Sequence, residues 1–516
     1  PNPVERDPQV LSLRQLEQAS QRRPWITFRK GFPSSLSVRL PMPGANAADR
    51  ARQFLRDYKE LLLQASPDGD LVLHRVRLGL LDHVSFKQQH QGIPVLGGEL
   101  MVMLKSNQVY LSTGKLLPSV RLAGLNLVPT LSTLAAENLV RVRLNRPTAP
   151  LLTPSRLGIF DLSLLHDAPS DPRLVWQVNM GGGNHQALLV DAHTGEVLLS
   201  SELQQYDCGP GANPLDGFDF RMMDALQQCN AQNSDCYTDC DNKVAVANED
   251  GFNQNYWNDP NATRGNQFAR DAYAYFHQNF CWHSYDNAAS QLGVFIHAAV
   301  CDGIASWSPV CNLISICTGQ MDYEILVHEF THGIIQHSGG LGSWDGSTDY
   351  YCFQPGALNE HYADMMALTA DWQAGDTNWL NGENRVCCPN VAVRDLSNPS
   401  RDHFADYDVG IQDANGEYPD QGYVHDNSGI PTKAAYYMTE GYEYGGTRFF
   451  GIGRDKLRVL KWNTLLNLPS VTHFDDACVM EVTIAEAWAE SNSSGFTESD
   501  ACIVRNAWGL VGLGGT

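Results

Sequence analysis

Two histidines four residues apart form a pair that could bind a metal ion. They lie in the stretch His328-Glu329-Phe330-Thr331-His332, whose apolar neighbours are typical of a buried helix. Residues four apart share one face of a helix, so both imidazoles can reach the same ion. Glu329 lies one position round the helix, where it can hold a water molecule without being a ligand. The motif alone leaves two interpretations open: a zinc site, or a helix with two ordinary histidines.

A zinc site needs a third protein ligand and a vacant fourth position for water. Glu360 is the candidate third ligand, 28 residues after His332 at the start of a second predicted helix. Asp364, one turn further on, can accept the outer N–H of a ligating histidine and fix its tautomer. A solvated acidic face is the alternative for these two carboxylates, but the apolar run 365–368 favours burial. His361 lies off the face of Glu360 and is not predicted as a ligand.

The elements that must position these residues begin after residue 200. The composition there becomes rich in Asn, Asp, Gly and Tyr, which indicates a β-rich lobe with long loops, and helical patterns dominate from about residue 325.

Before residue 200, two small units are predicted. The first has a helix over 47–65 and an antiparallel sheet packed on it. Its strands are predicted at 71–76, 84–86 and 99–104, and its turns at Gly92, Gly97 and Gly98. The second unit has a helix over 131–142. Its strands are predicted at 173–178 and 187–191 with a turn at 181–183 between them, and a hairpin at 191–197 closes it.

Charge and cysteine content divide the 516-residue chain at the same place. Residues 1–200 contain 22 Lys and Arg against 16 Asp and Glu, a net charge of +6, and no cysteine. Residues 201–516 contain 14 against 42, a net charge of −28, and all 13 cysteines. This favours a basic pro-region bound to an acidic mature enzyme; two unrelated fused domains are the alternative. The acidic charge argues against a nucleic-acid partner.

The cysteines predict disulfide bonds, because no close pair has a second Cys-x-x-Cys at zinc-ribbon spacing. Their odd number leaves at least one thiol free or intermolecular. No apolar run approaches 18 residues, so no membrane span is predicted. The first residues lack a charged and then apolar signal segment. Either there was no signal or, as we expect for a secreted, extracellular protein, it has been removed.

The two metal-binding motifs together resemble those of the thermolysin-like zinc peptidases, which pair His-Glu-x-x-His with a later Asn-Glu-x-x-x-Asp, here 359–364. Residues 420–430 resemble the segment with the family's transition-state histidine. Residues 394–399 resemble the stretch whose arginine borders the pocket for the residue after the scissile bond, and 451–457 resemble a run of the C-terminal helical lobe. The resemblance covers roughly residues 205–516.

This resemblance implies a neutral endopeptidase that cleaves before bulky apolar residues and holds one catalytic zinc. It implies Glu329 as general base and His425, oriented by Asp420, as the group that stabilises the oxyanion. Asn359 and Asp364 are expected to support the ligands. Tyr351 has the family's spacing of nine residues before the third ligand. About eight extra residues separate the two motifs, however, so Tyr350 and Trp344 stay open for the same role.

Substrate and calcium sites are also implied by the resemblance. Ala305 and Trp307 match the substrate-aligning edge, although isoleucine replaces its asparagine, so backbone pairing is expected without one side-chain hydrogen bond. Arg394 is expected at the pocket. At least one structural calcium is expected, because family carboxylates match Glu324, Asp371 and Glu383, although Leu380 replaces a further one.

The region before residue 200 resembles known pro-region modules. Residues 91–98 resemble the propeptide motif of fungalysins and thermolysins, and 191–198 resemble the PepSY module. The implied fold is α+β, with a catalytic domain of a β-rich N-terminal lobe and an α-helical C-terminal lobe behind two small α+β modules. The expected domains are 1–120 (propeptide module), 121–204 (PepSY-like module), 205–340 (β-rich lobe with the zinc helix) and 341–516 (helical lobe).

The expected partners are polypeptide substrates and the chain's own residues 1 to about 204, acting as intramolecular chaperone and inhibitor. Cleavage of the pro-region is expected between residues 200 and 208. The alternative is a catalytically silent relative kept as a zinc-stabilised binding module, or a chain that its pro-region inhibits permanently.

Overall fold

The computed structural model describes a chain of class α+β, as predicted. The residues described are 7–151, 153–166, 170–181, 185–203, 220–224, 245–248, 251–252, 259–298, 303–309, 311–342, 350–413 and 416–514. Residues 204–208 of the expected junction, part of the predicted turn at 181–183, and Trp344 lie outside them. None of the described helices is long and apolar enough to span a membrane.

The N-terminal segment, residues 7–203, is built around one large sheet. In chain order its elements are α1 (Pro8–Ala19), β1 (Trp25–Arg29), β2 (Phe32–Pro41), α2 (Ala47–Asp57), α3 (Pro67–Asp70), β3 (Leu71–Arg77), β4 (Asp82–His90), β5 (Ile93–Lys105), β6 (Gln108–Lys115), α4 (Ser119–Leu122), α5 (Thr133–Arg143), β7 (Arg156–Phe160), β8 (Arg173–Met180), β9 (His185–Asp191) and β10 (Val197–Leu203). The strand order is β1-β2-β6-β5-β7-β8-β9-β10, with β4 also on β5 and β3 at an edge. A parallel pairing of Val95 with Ile159 joins the two predicted modules into this sheet.

The sheet of the first module is buried on both faces. On one face Phe86 and Val102 pack against Phe54 of α2 in a core of their own. On the other face Met101 and Met103 belong to the core of the C-terminal segment. Since successive strand residues point to opposite faces, burial on both sides explains the continuous apolar run in β5.

Two local predictions in this segment are wrong. The helix predicted over 47–65 ends at Asp57, and the following residues form turns that include Leu63 in the left-handed region (φ 54°). Gly97 and Gly98 do not interrupt the strand but lie inside β5, where a Cβ on Gly98 would lie 2.9 Å from the Gln88 side chain. The helical periodicity beyond residue 57 reflected burial of the apolar side chains rather than a continued helix. The two glycines reflected the close approach of neighbouring residues rather than a turn between strands.

The C-terminal segment, residues 220–514, has a β-rich part followed by a helical part. Its elements are β11 (Phe220–Asp224), β12 (Ala245–Asn248), β13 (Gly251–Phe252), α6 (Pro260–Phe280), β14 (Leu292–Ala298), β15 (Ala305–Ser308), β16 (Leu313–Cys317), α7 (Tyr323–His337), α8 (Phe353–Ala374), β17 (Leu380–Asn381), β18 (Arg394–Asp395), α9 (Asp420–Asn427), α10 (Gly429–Glu440), β19 (Tyr442–Tyr444), β20 (Thr447–Phe449), α11 (Arg454–Leu465), α12 (Phe474–Glu490) and α13 (Glu498–Leu510). The strand order β13-β12-β11-β14-β16-β15 leaves β15 at an edge.

Helix α6 was not predicted from the sequence, although its start carries a recognisable signal. Asp259 accepts hydrogen bonds from the backbone N–H groups of Asn261 and Ala262, and Pro260 occupies the first helical position. An Asp-Pro pair of this kind is a common helix start. The loop-like composition around it concealed the element.

The basic N-terminal segment docks on the acidic helix α12. Arg22 binds both carboxylate oxygens of Glu486 at 2.5 and 2.6 Å, and Arg39, itself buried, binds Glu490 at 2.7 Å. Burial would raise the pKa of Glu486, but the hydrogen bond from Arg22 and the charges of Arg22 and Arg505 lower it. Further polar contacts to the helix are made by Arg29 with Asp475, Ser35 with Asp476, Tyr110 with Glu490 and Lys105 with the Ala487 carbonyl.

Candidate active site

Helix α7 presents the two histidines to a cleft. Asp322 caps its N-terminus by accepting a hydrogen bond from the backbone N–H of Glu324 at 2.9 Å, and nearly all of the helix is buried. His328 and His332 lie one turn apart with ring centroids 4.6 Å apart, and their Nε2 atoms are separated by 3.0 Å. Both Nε2 atoms therefore point at the same small volume.

Helix α8 supplies the carboxylate that closes this arrangement. Glu360 is 1% exposed, so the solvated acidic face considered from the sequence does not apply. Its Oε2 lies 3.3 Å from Nε2 of His328 and its Oε1 lies 3.3 Å from Nε2 of His332. Burial would raise the pKa of Glu360, but His425 and His328 hold it well below the usual range. The carboxylate is thus held as an anion between two imidazoles.

These three residues fit a divalent metal ion. One ligand atom from each lies within 4.8 Å of the other two, and no other trio of His, Cys, Asp or Glu within the described ranges was found to meet this condition. Glu360 Oε2 is buried and accepts no hydrogen bond from the described residues. Burial lowers the pKa of His328, but the Glu360 and Asp364 carboxylates raise it to about 10. Two nitrogens, one oxygen and an open cleft match the donor set of catalytic zinc.

The outer nitrogen of each imidazole lies close to a side-chain oxygen. His328 Nδ1 lies 2.9 Å from Asp364 Oδ1, and His332 Nδ1 lies 2.7 Å from Asn359 Oδ1. The Asn359 amide is fixed in turn, because its Nδ2 donates to the carbonyls of residues 341 and 342 at 2.8 and 2.7 Å. Such contacts select the tautomer that presents Nε2 to a metal.

Glu329, His425 and Tyr351 line the same cleft, which has a volume of about 1040 Å³. Burial raises the pKa of the Glu329 carboxyl. His425 Nε2 lies 3.5 Å from Glu360 Oε2, and its Nδ1 lies 2.7 Å from Asp420 Oδ1. Burial lowers the pKa of His425, but Glu360 and Asp420 raise it overall. A proton acceptor and a proton donor thus face the candidate metal site.

The backbone before His425 is unusual. Asp420, Gln421 and Tyr423 all have positive φ, and Gly422 lies between them at 94°. Conformations of this kind are costly for residues other than glycine and cluster at functional sites. A Cβ at Gly422 would lie 2.6 Å from the Phe353 ring. This tight turn brings the Asp420 carboxylate onto both the ring and the backbone N–H of His425.

The structure distinguishes Tyr351 from Tyr350, two of the three candidates for the tyrosine that the family has near the oxyanion. Tyr351 donates a short hydrogen bond to Glu360 Oε1 and lines the cleft. Tyr350 is buried, and its hydroxyl accepts a hydrogen bond from the backbone N–H of Gly97 at 3.0 Å. Tyr350 therefore contacts the N-terminal segment rather than the candidate metal site.

The edge strand β15 forms one wall of the cleft. Ala305 and Trp307 pair with Ile316 and Ile314 of β16, which leaves the other side of β15 unpaired within the described sheet. The Trp307 indole donates to Gln336 Oε1 at 2.8 Å and lies against Gly333, where a Cβ would be 2.7 Å from the ring. The edge strand is thereby fixed against the helix that carries His332.

Arg394 lies beside an apolar part of the cleft lined by Ile325, Val393 and Leu396. Its guanidinium binds Asp364 Oδ1 at 2.6 Å and lies 3.6 Å from Glu360 Oε2. Arg394 therefore touches the residues around the candidate ligands as well as the pocket. The N-terminal segment also reaches the cleft, since Leu199 and Ser200 of β10 line it.

The residues expected to bind calcium lie at the start of α7 (Glu324), in the last turn of α8 (Asp371) and beyond the end of α8 (Glu383). Glu324 and Glu383 are buried, and one carboxylate oxygen of each accepts no hydrogen bond from the described residues. Burial and the charges of Asp371 and Glu383 raise the pKa of Glu324 to about 11. Burial raises the pKa of Asp371 to about 7. Asp322, which was not predicted, adds a further carboxylate beside them and could have been found from its position as helix cap.

Two parts of the chain match known protein families. A family model described as the α-helical domain of thermolysin metallopeptidases matches residues 349–513, and a fungalysin/thermolysin propeptide motif matches residues 74–116. Neutral protease NprE from Bacillus pumilus is 30% identical over 256 residues, which cover 47% of this chain and 73% of that protein. The chain belongs to the thermolysin family of zinc metalloendopeptidases.

Other known proteins match more of the chain at lower identity. Thermolysin from Alicyclobacillus acidocaldarius subsp. acidocaldarius is 25% identical over 482 residues, which cover 83% of each chain. The solved precursor of protealysin, a metalloproteinase from Serratia proteamaculans, is 21% identical with a TM-score of 0.44, covering 59% of this chain and 91% of that one. The propeptide motif indicates that this member of the thermolysin family is a precursor that still carries its pro-region.

Proposed function

We propose that the chain hydrolyses peptide bonds on the N-terminal side of bulky apolar residues. The observation that carries this proposal is the position of Glu360 between His328 and His332, in a cleft that also contains Glu329 and His425. The residues proposed for such hydrolysis lie together in one cleft, which supports an active enzyme over a catalytically silent relative.

Zinc held by His328, His332 and Glu360 would supply a Lewis acid that polarises the scissile carbonyl and makes an attacking water more acidic. In our proposal Glu329 accepts the proton of that water and later delivers it to the leaving amine. Its buried position and raised pKa support this role, because a carboxylate with a higher pKa is a better proton acceptor.

His425 is proposed to stabilise the negative oxygen of the tetrahedral intermediate through its Nε2–H. Asp420 supports this role by binding Nδ1, which leaves Nε2 directed toward the cleft. Tyr351 is proposed as a second donor, since its hydroxyl already lies at Glu360. Donors held in place before the reaction need no reorganisation as the charge develops.

The substrate backbone is proposed to add to the unpaired side of β15 beside Ala305 and Trp307. Peptides bind exposed sheet edges in this way through main-chain hydrogen bonds. The apolar wall of Ile325, Val393 and Leu396 next to Arg394 supports a preference for a bulky apolar residue after the scissile bond.

Zinc content and peptide cleavage together test this function. Purified protein should contain one zinc per chain and cleave peptides before Leu or Phe. A chelator should abolish cleavage, and added zinc should restore it. Cleavage that persists after zinc has been removed, or a zinc-loaded mature protein without peptidase activity, would refute the proposal.

The pro-region is proposed to comprise two modules, residues 1–120 and 121–204, that inhibit and help to fold a catalytic domain made of lobes 205–340 and 341–516. The ion pairs of Arg22 and Arg39 with α12 support an electrostatic contribution to this inhibition. The position of Leu199 and Ser200 in the cleft supports steric obstruction as well.

Inhibition by the pro-region should weaken as salt is added. After cleavage, the noncovalent complex should regain peptidase activity as ionic strength rises from about 0.05 to about 0.5 M, because salt screens partly exposed ion pairs. Arg22→Gln should raise activity at low salt and flatten the response, whereas Lys59→Gln, an exposed charge away from α12, should not. Inhibition that does not depend on salt would contradict the electrostatic part.

At least one calcium ion is proposed to bind among Glu324, Asp371 and Glu383, with Asp322 nearby. Two buried carboxylate oxygens without hydrogen bonds support this, since calcium takes oxygen ligands. Export to an oxidising compartment is proposed as well, because Cys311 and Cys317 are disulfide-bonded.

Calcium should stabilise the protein more at pH 8 than at pH 6. Without a cation, folding raises the pKa of Glu324 from the ordinary ~4.3 to about 11, so the folded state binds this proton more tightly. The metal-free protein therefore loses stability as the pH rises above the unfolded-state value, and a cation that replaces the proton restores it. Thermal unfolding of uncut Glu329→Ala protein in CaCl2 or EGTA measures the difference. Glu324→Gln should reduce it, the exposed Glu443→Gln should not, and equal shifts at both pH values would contradict the prediction.

A further inference from the structure

Two arginines of strand β3 reach from the N-terminal segment to the ends of two catalytic helices. Arg75 Nη1 donates a short hydrogen bond to the Ser338 carbonyl, and Arg77 Nη1 donates to the Leu466 carbonyl at 2.7 Å. Ser338 is the residue that follows α7, the helix with both candidate zinc-binding histidines, and Leu466 follows α11. The two contacts are therefore of one kind, each between a guanidinium and the carbonyl of the residue that caps a helix C-terminus.

Helix C-termini favour such contacts for two reasons. Their last carbonyls have no partner within the helix, and the helix dipole places partial negative charge there. A cation at this end satisfies the carbonyl and offsets the dipole. Arg75 and Arg77, the two donors, belong to the part of the chain that maturation is proposed to remove.

The strand geometry presents both arginines together. Residues two apart on a strand point to the same face, and Arg75 and Arg77 pair across the sheet with Ser85 and His83 of β4. This face lines a cavity of about 360 Å³ between the two segments, with His337 and Leu466 on its opposite wall.

The charges facing this cavity leave a net positive surface. Besides the two arginines it contains His74, His83, Lys87 and Glu99 from the N-terminal segment and His337 from α7. Burial first and Arg77 second lower the pKa of His83 to about 3, so this ring is neutral. Glu99 also faces the C-terminal segment, where Ser470 Oγ donates to it at 3.2 Å. Two guanidiniums held side by side need electron-rich partners, and the helix ends provide them.

We propose that Arg75 and Arg77 form an arginine clamp through which the pro-region recognises and orders the C-terminal ends of α7 and α11. The clamp stabilises the helix that carries His328 and His332 while the chain is a precursor, and its loss on cleavage leaves both helix ends to solvent. This inference rests on the proposed role of residues 1 to about 204 as pro-region.

Hydrogen exchange on the uncut, full-length Glu329→Ala chain tests the clamp one helix at a time. Arg75→Gln should speed exchange roughly tenfold at the amides of Ser338 and Gly340, which bond to α7 carbonyls, and leave the α11 end unchanged. Arg77→Gln should do the reverse, at the amides of Leu466 and Asn467. Arg39→Gln, which removes a partly buried contact to α12, is the matched control and should change neither end.

Unchanged exchange at both helix ends would overturn the clamp. Equal loosening of both ends in each single variant, or the same loosening in Arg39→Gln, would also overturn it, because the arginines would then only contribute to general docking. If a glutamine variant does not fold, Arg75→Lys and Arg77→Lys keep a positively charged N–H donor at each position and should fold with nearly normal protection. Failure of these too would refute the proposal. Exchange is read on uncut chain and requires no turnover, so the clamp can fail while the peptidase function stands, and the reverse.

Discussion

Full-length protein with Glu329→Ala should fold, bind one zinc and remain uncut. Glu329 lies beside His328 on α7 but is not part of the set whose ligand atoms converge, so its loss leaves the metal site intact. Without it, no group in the proposed position accepts the proton of the attacking water. Peptide hydrolysis should fall by about 10²–10⁴-fold, the usual contribution of a general base.

Electrophoresis, metal analysis and a peptide assay check this prediction on one preparation. Glu360→Gln is the informative comparison, because it should lose zinc as well as activity, whereas Glu329→Ala should lose activity alone. Substantial turnover by Glu329→Ala would remove this residue from the mechanism. Loss of zinc from the same variant would show that it supports the metal site rather than the proton transfer.

His425→Ala should slow turnover by about 10²–10³-fold with unchanged zinc content. The side chain is proposed to act on charge that appears only in the transition state, so kcat should fall far more than KM rises. Asp420→Asn should have a smaller effect of the same kind, because the ring remains but its orientation is held less firmly.

Asp426→Asn is the matched control for this pair. Asp426 follows His425 directly and lines the cleft, but its carboxylate accepts a hydrogen bond from Ser400 at 3.0 Å. Its replacement should leave kcat nearly unchanged. Full turnover by His425→Ala, or an equal loss in Asp426→Asn, would show that the proposed oxyanion contact is wrong.

The parts of the site that depend on local geometry could be predicted from the sequence. The spacing of His328 and His332 fixes their common face within one helix, and Asp364 follows Glu360 by one turn in the same way. The meeting of α7 with α8 depends on packing between distant segments, so the ligand requirement of zinc could only suggest Glu360 as a candidate, which the family resemblance then supported. The role of Tyr350 also required the structure, since its partner Gly97 is far away in the chain.

In the fold, too, elements with a local sequence pattern could be predicted, whereas those that depend on distant contacts could not. Alternation identified β3, β4 and part of β5, and the apolar run of β5 is explained by burial against α2 and the C-terminal segment together. Strands β1 and β2 and helix α1 were not predicted. In β2 a polar series, Ser35, Ser37 and Arg39, is buried because it faces the polar groups of α12. Sequence patterns indicate where apolar side chains are buried. A polar strand face that is buried against another polar surface has the same pattern as a face exposed to solvent.

The double-sided burial of the first sheet bears on the direction of maturation. Once the pro-region leaves, Met101, Met103 and Leu111 change from core residues to exposed apolar surface, and the detached fragment loses the contacts that buried this face of its sheet. A detached fragment with exposed bulky apolar side chains is a suitable substrate for the peptidase that it formerly inhibited. Activation should therefore run one way, with the inhibitor destroyed rather than recycled.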